Sequence, residues 1–309
     1  MSNRPTYTAF VPHGINSKYY YPIDKEDKDY EDYVKFSSEF KQKNDVSFVI
    51  FWNNRNIRRK QPGDVILAFR KFCDGLPKKE SKHVALLMHT QIIDSNGTDL
   101  MQVKKNICPD YKIILSEKKL GVKHLNYLYN LSDVTLNIAS NEGFGLSGAE
   151  SIMAGTPIIN NVTGGLQDQC RFQDENGKWI NFDSMVSSNH TGVYKSHGDW
   201  VKPVFPTNRS LQGSVPTPYI FDDRCSFEDV ADAMRYWYDM DSQQRKIYGR
   251  KGREWAMSSE SGMSSKEMCN RFVKHISFLL DNWKPSESFT VSKVEERQYN
   301  SSSNIGITW

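Results

Sequence analysis

The sequence lacks the spacings that hold metals. Its five cysteines, Cys73, Cys108, Cys170, Cys225 and Cys269, are scattered and form no CxxC pair. Their odd number and wide separation argue against a disulfide framework and for reduced thiols in a cytoplasmic protein. His13, His83, His89 and His124 fall into no ligand spacing either. Asp27-Lys28-Asp29 and Asp239-Met240-Asp241 have the Asp-x-Asp form that a metal-assisted transfer could use. The first lies in a run of charges and the second at the end of a predicted helix, so both read as solvated surface and no metal is expected. An excess of one charge is missing as well. Forty basic residues face 37 acidic ones, which gives no reason to expect a nucleic-acid partner. No apolar run approaches the roughly 20 residues that span a bilayer, so any membrane contact would be peripheral. No internal repeat is visible, which sets solenoids and propellers aside.

What is present fits a globular α/β protein. Of the 309 residues, 38% are hydrophobic and 25% charged, enough for a sizeable core. Six short apolar segments read as strands: SFVIFWNN (47–54), HVALLMHT (83–90), KIILSE (112–117), VTLNIAS (134–140), PIINNV (157–162) and PYIFDD (218–223). Most are near-continuous runs, as in strands buried on both faces of a parallel sheet. Helical stretches alternate with them, among them 63–76, 122–133, 146–155, 227–240, 243–257 and 265–280. That rhythm predicts a doubly wound, Rossmann-like parallel sheet over 46–283. Residues 1–45 read as a linker-like segment with a charged stretch at 24–45, residues 171–217 as a long polar insertion, and residues 284–309 as a flexible tail.

Ligands of such sheets bind beyond the carboxyl ends of the strands. Three loops there carry suitable groups. The first is EGFGLSGAE, residues 142–150. Gly143 and Gly145 let the backbone come close to a ligand, and a helix starting near Gly145 or Leu146 offers unpaired amides and partial positive charge. Glu142 falls in the loop and Glu150 more than a turn into the helix. Each carboxylate suits a vicinal diol, and two diols bridged by phosphate describe a nucleotide sugar. The alternative is a helix-start acid and a surface acid. The second loop is NNRNIRRK, residues 53–60, where Arg55 and Lys60 could clamp a diphosphate or form a solvated basic loop. The third is NVTGGLQD, residues 161–168, where Thr163, Gly164 and Gly165 supply hydroxyl and amide donors or make a plain tight turn.

Taken together, these segments resemble the retaining nucleotide-sugar glycosyltransferases of the GT-B fold, the group 1 family. The resemblance rests on Glu142-GFGLSGA-Glu150 followed by MAGTP, on Arg55 and Lys60 five apart after the first strand, and on Gly164-Gly165. It covers roughly residues 10–283. It implies a single GT-B C-terminal-type domain and hexosyltransferase-like activity on a UDP-, GDP- or ADP-linked sugar, with no cofactor beyond that donor. It implies that Glu142 and the amides of Gly143, Phe144, Gly145 and Leu146 meet the donor sugar and phosphates. Glu150 would hold the ribose, and Arg55 and Lys60 would neutralise the leaving diphosphate. Thr163 and Gly164 would complete the donor site. One departure stands out. VPHGINSKYYYPI (11–23) resembles the segment linking the two GT-B domains, yet only ten residues precede it. The acceptor domain would then come from a separate chain, or residues 171–217 would supply acceptor contacts, or the chain would bind donor without transfer.

Overall fold

The run Phe48–Asn53 forms strand β1 and is buried almost throughout. Its side chains alternate between two cores: Phe48, Ile50 and Trp52 enter one, and Val49 and Phe51 enter the other. A strand covered on both faces belongs inside a parallel sheet, and β1 lies there. The computed structural model describes residues 7–181, 194–215 and 217–284. Helix α1 (Tyr30–Asn44) precedes β1. A 3-10 turn (Arg58–Lys60) follows, then α2 (Pro62–Asp74), the short α3 (Lys78–Ser81), β2 (Val84–His89), α4 (Leu100–Ile107), β3 (Lys112–Ser116), α5 (Val122–Leu131) and β4 (Val134–Asn137). The chain continues through α6 (Leu146–Met153), β5 (Ile158–Asn161), α7 (Gly164–Gln169), β6 (Val201–Val204), β7 (Asn208–Ser214) and β8 (Thr217–Arg224). It closes with α8 (Phe227–Asp239), α9 (Ser242–Met257) and α10 (Ser265–Asn282).

The main sheet runs β3-β2-β1-β4-β5-β6, with every neighbouring pair parallel. This is the doubly wound arrangement the alternating pattern predicts. The strand order reverses between β1 and β4, which opens a crevice at their carboxyl ends. Helices α2, α4 and α8 cover one face, and α5, α6 and α9 supply residues to the core on the other. Helix α1 has no buried residue and rests on α5, with Phe36 against Tyr127 at 5.5 Å between ring centroids.

The sixth strand differs from the sequence expectation. PYIFDD is not in the main sheet: β8 pairs antiparallel with β7 in a separate hairpin, and the sixth place belongs to Val201–Val204. That strand is four residues long and contains Pro203, so its local signal is weak. Proline is tolerated there because β6 is an edge. The stretch 171–217 read as polar insertion therefore contains a sheet strand and half of a hairpin; its residues 182–193 lie outside the described ones, as does the tail from 285 onward. Helix α10 buries none of its residues, and Phe272, Ile276, Leu279 and Leu280 are exposed.

Candidate functional site

The loops after β1 and β4 meet at the switch point. Lys60 Nζ and an Arg59 guanidinium nitrogen each lie 2.6 Å from Glu142 Oε2. Arg59 also donates to the Asn141 carbonyl at 3.0 Å, and the Ser140 amide donates to the Arg59 carbonyl at 2.8 Å. The 3-10 turn creates this geometry: it brings two consecutive cations to one carboxylate before Gln61, in the left-handed region, hands over to Pro62 at the start of α2. The Lys60 and Glu142 side chains are only 9% and 12% exposed. Burial pulls the Lys60 ammonium below its usual value, and Glu142 opposes that pull. Two cations on one anion leave the cluster with a net positive charge at the carboxyl ends of β1 and β4.

The Glu142 loop leads directly into α6. Gly145 has φ +85°, and a Cβ there would lie 2.3 Å from the Leu166 side chain, so the turn requires glycine. Helix α6 begins at Leu146 with no side-chain cap, leaving its first amides oriented toward the loop. Gln169 Nε2 fixes the loop by donating to the Phe144 and Gly145 carbonyls at 2.6 and 2.9 Å. One turn into α6, Glu150 accepts from the Tyr129 hydroxyl at 2.6 Å and from the Tyr20 hydroxyl. Tyr129 in turn accepts from Asn53 Nδ2 at 2.9 Å, which ties Glu150 to the end of β1. Burial raises the Glu150 carboxyl above its usual value, and the two phenols partly offset this.

The β7–β8 hairpin is clamped to the same rim. Asp222 accepts from Ser140 Oγ and Asn141 Nδ2, both at 2.9 Å. Asp223 accepts from Thr163 Oγ1 at 2.7 Å, and its amide donates to the Ser140 carbonyl at 2.9 Å. Two cavities flank Gly143. One, of about 370 Å³, is lined by Asn141, Glu142, Thr163, Arg209, Phe221 and Asp223 among others. The other, of about 480 Å³, lies between Phe10–His13, the Glu142 loop and α7. Asp168 lines the second, where burial pushes its carboxyl up to about 6.

No protein-family model matches the chain. A trehalose synthase from Pyrococcus horikoshii is 29% identical over 109 residues, covering 34% of this chain and 26% of that protein. Among solved structures, a sucrose-phosphate synthase from Thermosynechococcus elongatus superposes with a TM-score of 0.56 at 14% identity, over 88% of this chain and 52% of that one. A glycosyltransferase from Rickettsia africae gives 0.58 at 16% identity, over 88% and 57%. The Anabaena HepE protein, solved with UDP-glucose, gives 0.57 at 12% identity, over 86% and 56%. The fold is that of a single Rossmann-like GT-B domain. This chain spans about half the length of those solved GT-B structures.

Against the GT-B expectations, the structure brings Lys60, Glu142 and the start of α6 together. It does not bring Arg55 to either acid. Arg55 is 59% exposed and bonds the Asp94 carboxylate, 2.8 Å from its Nε. The arginine that joins Lys60 beside Glu142 is Arg59, which spacing alone could not distinguish from its neighbours in the Arg-Arg-Lys run. The third loop also serves the fold. The Gly165 amide donates to the Glu142 carbonyl at 2.9 Å. A Cβ at Gly164 or Gly165 would lie 2.3 or 2.2 Å from the carbonyl oxygens of Glu142 and Gly143. The glycine pair thus lets two loops touch, and the Thr163 hydroxyl is engaged by Asp223. Gly143, by contrast, faces open space: a Cβ added there would meet nothing within 4 Å. Of the Asp-x-Asp pairs, Asp29 binds Lys123 and Tyr21, Asp239 binds Arg235, and Asp241 caps α9. Among the described residues no cluster of three His, Cys, Asp or Glu is placed to hold a metal, and no helix is long and apolar enough to cross a membrane.

Proposed function

We propose that the crevice between the β1 and β4 loops binds a nucleoside-diphosphate sugar and that the domain transfers its glycosyl group to an acceptor with retention. The observation that carries this reading is the pairing of Lys60 and Arg59 with Glu142 at the switch point, beside the uncapped start of α6. A diphosphate at this rim meets preorganised cations and helix amides. As the bond to the anomeric carbon breaks, charge builds on the departing phosphate, and Lys60 stabilises it without reorganising. The second cation at this rim is Arg59, paired with Glu142, whereas Arg55 is held by Asp94. The sugar lies against Glu142 and the amides of Gly143 to Leu146. Glu150, oriented by Tyr129 and Tyr20, takes the ribose diol. The UDP-glucose complex of HepE supports a nucleotide-sugar donor, with UDP, GDP and ADP all compatible with a diphosphate clamp.

A second reading is a donor-binding subunit without transfer. It is favoured by the single Rossmann-like parallel sheet among the described residues. Under the first reading, a complementary acceptor half comes from another polypeptide or from another stretch of a longer one.

Melting curves with UDP-glucose, GDP-mannose and ADP-glucose test the donor site. A donor at about 100 times its dissociation constant should stabilise the fold by about 2.7 kcal/mol. Folded Lys60→Ala and Glu150→Ala variants should lose that shift; if both respond like wild type, the site is misplaced. Release of free sugar or glycoside by the purified protein would exclude the non-catalytic reading.

A further inference from the structure

The β7–β8 hairpin is fixed at its base and bare at its outer end. Its two adjacent carboxylates are buried, Asp222 at 8% and Asp223 at 2% exposure, and each is bonded to the rim of β4 or β5. The hairpin therefore has a set orientation relative to Glu142. Its register pairs Arg209 with Asp223 and Leu211 with Phe221. Side chains alternate along a strand, so Arg209, Leu211, Tyr219, Phe221 and Asp223 share one face. Arg209, Phe221 and Asp223 line the cavity of about 370 Å³ that also contains Asn141, Glu142 and Gly143. The Arg209 guanidinium lies 4.6 Å above the Phe221 ring. Farther along the same face, Tyr219 is 82% exposed and Leu211 56%.

This combination has a definite chemistry. The C–H face of a pyranose packs on an aromatic ring, while its hydroxyls pair with a guanidinium, an amide and carboxylates. Phe221 and Tyr219 offer the rings, and Arg209, Asn141 and Glu142 offer the polar groups. The cavity has the volume of a small-ligand site and opens beside the loop assigned to the donor sugar. We propose that the hairpin face of Arg209, Tyr219 and Phe221 is a carbohydrate acceptor subsite, a proposal that rests on the donor reading above. An acceptor pyranoside seated there presents a hydroxyl toward the donor. Its oxygen bonds to the anomeric carbon as the bond to the diphosphate breaks. The bonding pair leaves with the diphosphate, and the hydroxyl proton passes to the departing phosphate oxygen.

Saturation-transfer NMR on the full chain with methyl α-glucopyranoside, methyl α-mannopyranoside and maltose tests the subsite. At least one of these probes should bind wild type, and Phe221→Leu and Tyr219→Ala should each weaken it about tenfold. Tyr219 is too exposed for its truncation to disturb the fold. UDP-glucose melting shifts should be unchanged in both variants. Binding of no probe to wild type, or equal binding to wild type and both variants, overturns the proposal. Sugar binding that the variants lose upholds the subsite even where UDP-glucose gives no shift, a result that would count against the donor reading alone.

Discussion

Glu142 and Glu150 belong to one short motif, yet the fold gives them opposite surroundings. Glu142 sits between two cations, with Lys60 and Arg59 both 2.6 Å from one of its oxygens. Glu150 sits among phenols, and burial makes its charged form costly. The difference teaches that a pair of like acids need not share a role. The first anchors cations where a diphosphate would arrive, and the second is an oriented acceptor suited to hydroxyls.

The sharpest way to break this contrast is Glu142→Ala. It leaves the Lys60 ammonium buried beside Arg59 without a partner, and urea unfolding should show a loss of about 3 kcal/mol. Glu142→Gln with Lys60→Met should cost less than the two single changes added together. A negligible loss in Glu142→Ala would show that the cations are not held by that acid.

A smaller effect is expected at the other acid. Glu150→Gln keeps the shape but weakens the bonds to ligand hydroxyls, so titration calorimetry should show donor affinity falling about tenfold. Its stability change has a defined sign. The folded carboxyl holds its proton above the unfolded value of 4.5, so wild type loses stability as pH rises through that raised value. The Gln variant should gain relative to wild type above this window and lose the gain below pH 4.5.

Asp168 extends the comparison to an acid with burial as its only cause of shift. Its carboxyl moves from 3.8 to about 6. Asp168→Asn should therefore be more stable than wild type by on the order of 1 kcal/mol above about pH 6, with the gap closing as pH falls toward about 4. Melting curves across that range check it. Arg55→Ala should cost a modest amount of stability: the guanidinium is mostly in solvent, but its loss leaves the Asp94 carboxylate, 3% exposed, without its ion-pair partner. Its readout is turnover. A lower transfer rate measured well below the variant's melting point would place Arg55 on the diphosphate; a rate loss confined to Arg59→Ala would give that role to Arg59.

Much of the framework was legible in the chain. Apolar runs marked β1, β2, β4 and β5, because a strand buried on both faces must be apolar at consecutive positions, and the Ile-Ile-Leu run marked the edge strand β3, of which only Ile113 is buried. The glycines around Phe144 marked the start of α6, where Gly145 does take a left-handed conformation. β6 was missed because four residues with an internal proline carry little signal. PYIFDD was placed in the wrong sheet because a hairpin strand and a sheet strand look alike over six residues.

By itself, then, the sequence determined the alternation of strand and helix, the loop that carries Glu142, and the placing of Glu150 one turn beyond it. Those follow from periodicity and turn chemistry, which act between near neighbours. Only the tertiary structure decided that Arg59 rather than Arg55 meets Glu142, that Tyr129 and Tyr20 hold Glu150, and that two aspartates of a hairpin lock onto the sheet rim. Glu142 is 83 positions from Arg59, and Ser140 is 82 from Asp222. Contacts that distant leave no local pattern, because they depend on which strand ends the sheet order brings side by side.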